Sequence, residues 1–222
     1  MPFPLIPVAI VGVSILVAAI TVPAIVRSTR KALRDKSIAI LGRQEVGKST
    51  LLHFLIEGKL PERRERTPDP LPGGQFTLQL PGKGEVKFSV PQDLPGHTIP
   101  AYKDWREAFE AADFVWYLFR SDLIVSGDVS ETKLVEEHLD HLGDWFEELR
   151  SRNAAPKVIL VGVFADRDAT YSDDGDFEDR VRNSTPIRQG SVKLGKADIV
   201  IGSQVAKDGA TKLVERIARY LK

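Results

Sequence analysis

The 222-residue chain contains no cysteine, and its first 26 residues carry no charged side chain. The first absence excludes a disulfide framework and zinc sites built on thiolates. It is compatible with a reducing compartment. An excess of one charge is missing too, with 31 Lys+Arg against 31 Asp+Glu. What is present, 42% hydrophobic and 28% charged residues, is the balance of a folded domain and excludes disorder throughout.

The zero net charge is a cancellation. Arg27, Arg30, Lys31, Arg34 and Lys36 stand against Asp35 alone, a local charge of +4. Residues 37–222 then hold 26 basic and 30 acidic side chains, a charge of −4. Three bodies follow: an apolar leader (1–26), a basic juxtamembrane linker (27–36) and a mildly acidic domain (37–222) for which no nucleic-acid partner is expected.

Val8 to Val26 is a run of 19 apolar or small residues. As a helix it spans about 28 Å, close to the hydrocarbon thickness of a bilayer. A cleaved signal peptide carries its basic stretch before the apolar run, whereas here the basic residues follow it. A buried core helix would be shorter and interrupted by polar residues. The expectation is one N-terminal transmembrane helix. The linker on its C-terminal side predicts a cytoplasmic domain on a single-pass membrane protein. Its cations also suit contact with anionic lipid.

In the domain, Ser37–Leu41 reads as a buried strand that runs into Gly42-Arg43-Gln44-Glu45-Val46-Gly47-Lys48-Ser49, a G-x-x-x-x-G-K-[ST] pattern, and Thr50–Ile56 reads as a helix. Strand before and helix after are the context the pattern requires. Gly42 and Gly47 let the backbone N–H groups face phosphate oxygens, Lys48 reaches the β- and γ-phosphates, and Ser49 offers a hydroxyl to Mg²⁺. Glu45, Val46 and Thr50 complete the candidate phosphate-binding stretch. Glu45 opposes the phosphate charge unless it points outward.

Downstream, residues 76–80 and 86–90 alternate around a Pro-Gly-Lys-Gly turn and predict a hairpin. Phe114–Phe119 and Val158–Phe164 are continuous apolar runs, as buried parallel strands should be, and residues 199–201 form a shorter one. Helical spacing marks 130–150 and 210–221. The fold expected is α/β, a mostly parallel sheet with helices on both faces. Residues 170–196 read as polar and irregular, suited to a variable partner-binding surface. His138 and His141 read as an exposed helix face rather than a metal site, and 172–176 as a solvated loop rather than a calcium site.

The order of motifs resembles the Ras-like small GTPase superfamily, most of all its Arf-like branch and the membrane-anchored beta subunit of the signal recognition particle receptor. The resemblance covers roughly residues 37–221. Asp93-Leu94-Pro95-Gly96 matches the family's D-x-x-G, which implies that Asp93 holds Mg²⁺ through water and that the Gly96 N–H senses the γ-phosphate. His97 takes the place of the water-positioning glutamine; D-x-P-G-H also resembles translation GTPases, where histidine has that role. Trp105-Arg106 and Phe109 resemble the Arf-like L-W-R-x-Y-F segment. Thr67, 19 residues after Lys48, is the candidate Mg²⁺-binding threonine of the first switch; Thr77 competes but falls inside a strand.

The base-recognition motif departs from N-K-x-D. One register puts Val163-Phe164-Ala165-Asp166 there, with Asp166 accepting from the guanine N1–H and 2-amino group. The other lets Asp166-Arg167 stand for Asn-Lys, with Asp168 as the carboxylate. Ser203, six residues before Gly209, resembles the start of the S-A-K loop, with Gln204 in place of alanine.

The resemblance implies GTP/GDP and Mg²⁺ as cofactors and slow GTP hydrolysis to GDP and phosphate. It also implies recruitment of a cytosolic protein partner to a membrane through the switch loops. The altered base motif and Glu45 point instead to a membrane-tethered receptor or scaffold subunit that keeps nucleotide without significant hydrolysis. An ATP-using P-loop enzyme is disfavoured by the absence of a recognisable lid or acceptor site.

Overall fold

The structure, a computed structural model, describes residues 36–62, 71–82, 84–93, 101–171 and 175–221. The apolar run Val8–Val26 lies outside them. Among the described residues no helix is long and apolar enough to cross a membrane.

The elements alternate: β1 (Lys36–Gly42), α1 (Lys48–Glu57), β2 (Leu71–Leu80), β3 (Gly84–Asp93), α2 (Ala101–Ala111), β4 (Phe114–Arg120), α3 (Ser121–Ser126), α4 (Val129–Ser151), β5 (Lys157–Val163), α5 (Asp176–Asn183), α6 (Thr185–Lys193), β6 (Asp198–Ile201) and α7 (Lys207–Ala218). The strands form one six-stranded sheet in the order β2-β3-β1-β4-β5-β6. Only β2–β3 is antiparallel, a hairpin in register from Leu71↔Asp93 to Leu80↔Gly84; every other pair is parallel.

The apolar runs dictate this layering. β1, β4 and β5 are buried on both faces, so alternate residues feed two separate cores. Ile38 and Ile40 pack with Leu51 and Leu55 of α1 and Leu213 and Ile217 of α7. Ala39 and Leu41 pack on the opposite face with Trp105 and Phe109 of α2, Leu139 and Leu142 of α4, and Ile187 of α6. Each fully buried side chain of this size contributes about 1.5–3 kcal/mol. The sheet is therefore covered on both sides, an α/β arrangement compatible with a P-loop fold.

Two expectations are corrected here. Residues 170–196 are not irregular throughout: α5 and α6 occupy most of them. Phe177 and Val181, one turn apart, are fully buried, as is Ile187, and Pro186 sits in the first turn of α6. Their few apolar anchors are diluted by charged residues that face outward. α6 also lies close to α4, because a Cβ on Gly190 would stand 2.4 Å from Leu139 Cδ1.

His138 is the second correction, because it is buried rather than on an exposed helix face. It lies edge-on to Tyr102 and Trp105 of α2 and to Tyr117 of β4. The Tyr117 hydroxyl is 3.0 Å from its Nδ1. Burial drives the His138 pKa down to about 4 and raises that of Tyr117, so a neutral imidazole and a neutral phenol share this hydrogen bond. Among the described residues no three or more His, Cys, Asp or Glu side chains are grouped so as to hold a metal ion.

Candidate functional site

β1 is the strand at which the strand order reverses: the chain first builds to one side of it, through β2 and β3, and then to the other, through β4, β5 and β6. In open parallel sheets ligands settle outside the carboxyl ends of the strands at such a point. The Gly42–Ser49 loop leaves β1 there and enters α1.

Its conformation is fixed by glycine where no other residue fits. Gly42 has φ 142°, and a Cβ on it would stand 2.4 Å from the Leu118 carbonyl oxygen of β4. Gly47 caps α1 with φ 95°, and α1 begins with Leu51 N–H donating to Gly47 O at 2.9 Å. Between them Glu45 holds a left-handed φ of 62° and is exposed, while Val46 is completely buried under the loop. The Lys48 ammonium is buried and donates to the Gly42 and Arg43 carbonyls, each at 3.0 Å. The loop thus closes into a ring around its own cation. Ser49 and Thr50, on the first turn of α1, are half-buried.

Arg43 anchors the other side of this ring. Its guanidinium pairs with Glu131, whose side chain is fully buried in the first turn of α4 and also accepts from the Arg120 N–H at 3.3 Å. Sequence reading missed this contact, which joins residues 88 positions apart. The one local signal was Asp128-Val129-Ser130-Glu131, a D-x-x-E capping pattern. Asp128 does cap α4, accepting from Glu131 N–H at 2.7 Å, but the Glu131 carboxylate turns to Arg43 instead of back to the cap.

Two further loops meet the first. After β5, Phe164 takes a left-handed conformation and residues 165–167 make one 3-10 turn. The Phe164 ring is flanked by the guanidinium groups of Arg120, 4.3 Å from its centroid, and Arg167, 4.8 Å. Gly202, after β6, donates to Gly162 O at 2.9 Å and accepts from Ala165 N–H at 3.3 Å, zipping the two loops together. Arg216 of α7 holds the end of β6 by donating to Ile201 O at 2.8 Å while pairing in bidentate fashion with Glu178 of α5. Ser203 and Gln204 are buried, and Gln204 lies against Gly47.

The two candidate carboxylates after β5 differ in their surroundings. Asp166 is exposed and has no hydrogen-bond or ion-pair partner among the described residues. Asp168 accepts from the hydroxyl and N–H of Thr170 and lies 3.5 Å from Arg180, which together hold its carboxyl below the usual range. Val163 is a buried core residue at the end of β5.

The structure therefore brings Gly42, Glu45, Val46, Gly47, Lys48, Ser49, Thr50, Ser203 and Gln204 to one end of the sheet, with Asp166 and Asp168 on the adjoining loop. Asp93 is the last residue of β3, parallel to β1. Thr67, Gly96 and His97 lie outside the described residues. The fold and site together define an α/β protein with a glycine-bounded, lysine-closed loop at the reversal point of its sheet. No protein-family model and no curated protein matches this chain.

Proposed function

We propose that this chain is a membrane-anchored, small GTPase-like protein that binds guanine nucleotide with Mg²⁺ and recruits a cytosolic protein to a membrane. The observation that carries the reading is the Gly42–Ser49 loop, wrapped around the buried Lys48 ammonium at the N-terminus of α1. A glycine-bounded loop, a helix N-terminus and a cation in one place suit a polyphosphate.

The residues present fit both expected cofactors. Lys48 and the backbone of 44–49 would hold the phosphates, and Asp166 would accept from the purine N1–H and 2-amino group. The hydroxyl of Ser49 and the carboxylate of Asp93 are hard oxygen donors, the kind Mg²⁺ takes, with Thr67 as a third. Bound Mg²⁺ would neutralise charge developing on the phosphate oxygens. Thr67 and Gly96 would report the γ-phosphate, and His97 would position the attacking water.

A second reading is favoured by a specific observation. Val163 and Phe164 supply neither the amide nor the ammonium of N-K-x-D, and Phe164 is engaged by two arginines. A subunit that holds nucleotide as a structural cofactor needs less of that motif than a switch does.

The test uses the full chain in detergent. Nucleotide extracted from it should be guanine nucleotide, and Lys48→Ala should weaken its binding roughly 10–100-fold. Adenine nucleotide, or none, sinks the assignment. Single-turnover phosphate release then separates the readings: release slowed by His97→Ala supports the switch, and GTP retained without release supports the subunit.

A further inference from the structure

A fully buried carboxylate stands beside the phosphate loop. The Glu131 side chain has no solvent exposure, whereas that of Arg43, its ion-pair partner, keeps 34%. The Arg120 guanidinium is committed to Asp122 and the Phe164 ring, and Arg120 offers Glu131 its backbone N–H at 3.3 Å. A buried ion pair is a poor stabiliser, because desolvating two charges offsets most of their attraction. Its firm effect is on geometry. Glu131 is itself fixed twice, by the Asp128 cap on its N–H at 2.7 Å and by the Arg120 N–H on its carboxylate. Arg43 is therefore gripped from a rigid point in the first turn of α4.

What the grip transmits is peptide orientation. Arg43 Nε donates to Gln44 O at 3.3 Å, while the Arg43 carbonyl accepts from Lys48 Nζ at 3.0 Å. The carbonyls of both peptides around Gln44 are thus turned onto cationic side chains of the loop itself. These peptides are trans and planar, so the N–H groups of Gln44 and Glu45 point the opposite way. We infer that Glu131 is a positioning residue for polyphosphate binding, acting through Arg43 on the two peptides around Gln44, an inference that rests on the nucleotide-binding reading above. Without the carboxylate, the partly exposed guanidinium turns to water and releases Gln44 O, and the peptide N–H groups lose their fixed direction. The loss falls on phosphates held by the loop and spares the base.

Calorimetric titration of the full chain in detergent with GDP and GMP tests this, since the two ligands differ only in the second phosphate. Glu131→Gln, near-isosteric and uncharged, is expected to weaken GDP about tenfold and GMP by less than about twofold. A general loss of folded protein would lower both alike. Arg43→Lys keeps the charge but has no Nε to hold Gln44 O, and is expected to repeat the split. In an Arg43→Gln background Glu131→Gln should cause no further loss, because its route to the loop is gone. Should Glu131→Gln alone not fold, the neutral pair Arg43→Gln/Glu131→Gln replaces it, with the same split expected. Equal weakening of GDP and GMP, or losses that add in the double variant, overturn the inference. Normal wild-type GDP binding with an unaltered GDP-to-GMP ratio in the variant defeats this inference alone. Failure of the wild type to bind either nucleotide defeats the nucleotide-binding reading with it.

Discussion

Glu45 combines two unfavourable choices within one residue. A left-handed backbone costs a non-glycine residue roughly 1–2 kcal/mol, and asparagine tolerates it better than glutamate. Its exposed carboxylate also lies in the loop that leads into α1, so its charge opposes phosphate oxygens bound by that loop. Glu45→Asn should therefore raise nucleotide affinity about two- to fivefold without lowering the melting temperature. Weaker binding in a titration would mean that the carboxylate assists the ligand. The loop itself was legible because its signal is local: eight consecutive residues between a strand and a helix. Its anchor was not. Arg43 and Glu131 look like ordinary surface charges until the fold brings β1 against the start of α4.

At the scale of elements, α2 and α4 meet through an aromatic cage that excludes water from His138. Tyr102 and Trp105 come from α2, Tyr117 from β4, and Glu137 and His141 from α4, while Arg43 and Lys48 add distant positive charge. Burial keeps the imidazole neutral in the fold until about pH 4, whereas the unfolded chain takes up the proton near 6.5. The unfolded state then binds more protons within that window. Stability from this group is complete above pH 6.5 and falls as pH drops towards 4, by up to about 3 kcal/mol. Chemical denaturation of wild type and His138→Gln across that range should show the difference between them shrinking at low pH; a constant difference would refute it. This contact escaped a reading by helical spacing because His138 and His141 lie among Glu136, Glu137 and Asp140, and charge suggested exposure. The same dilution hid α5 and α6, whereas β4 and β5, uninterrupted apolar runs, were legible almost to the residue. Lys36 opens β1 and pairs with Asp113, so the basic linker and the domain share that residue.

For the whole molecule, charge separation along the chain is the basis of the proposed topology. If Val8–Val26 spans a bilayer, the full chain should remain with membranes through alkaline carbonate washing. A lysine in place of Leu16 should weaken insertion, since a charge at mid-helix costs about 2.5–3.5 kcal/mol. Replacing Arg27, Arg30, Lys31 and Arg34 with glutamate should reverse the orientation in a fraction of molecules, read by protease protection of the domain. Extraction of the wild-type chain by carbonate would remove the anchor from the proposal. The two cores of the described α/β body are built from residues between 38 and 221.

The position of β1 in the sheet also sets a timetable. It is flanked by β3 and β4, both made later, so Gly42 has no Leu118 carbonyl to press against until residue 118 exists. At 5–20 residues per second, a ribosome needs roughly 4–14 s to add residues 49–120. Through that interval the loop's sequence is present but its ring has no wall. A nucleotide that binds only the finished loop acts as a late seal, drawing the whole parallel sheet towards its assembled state by mass action.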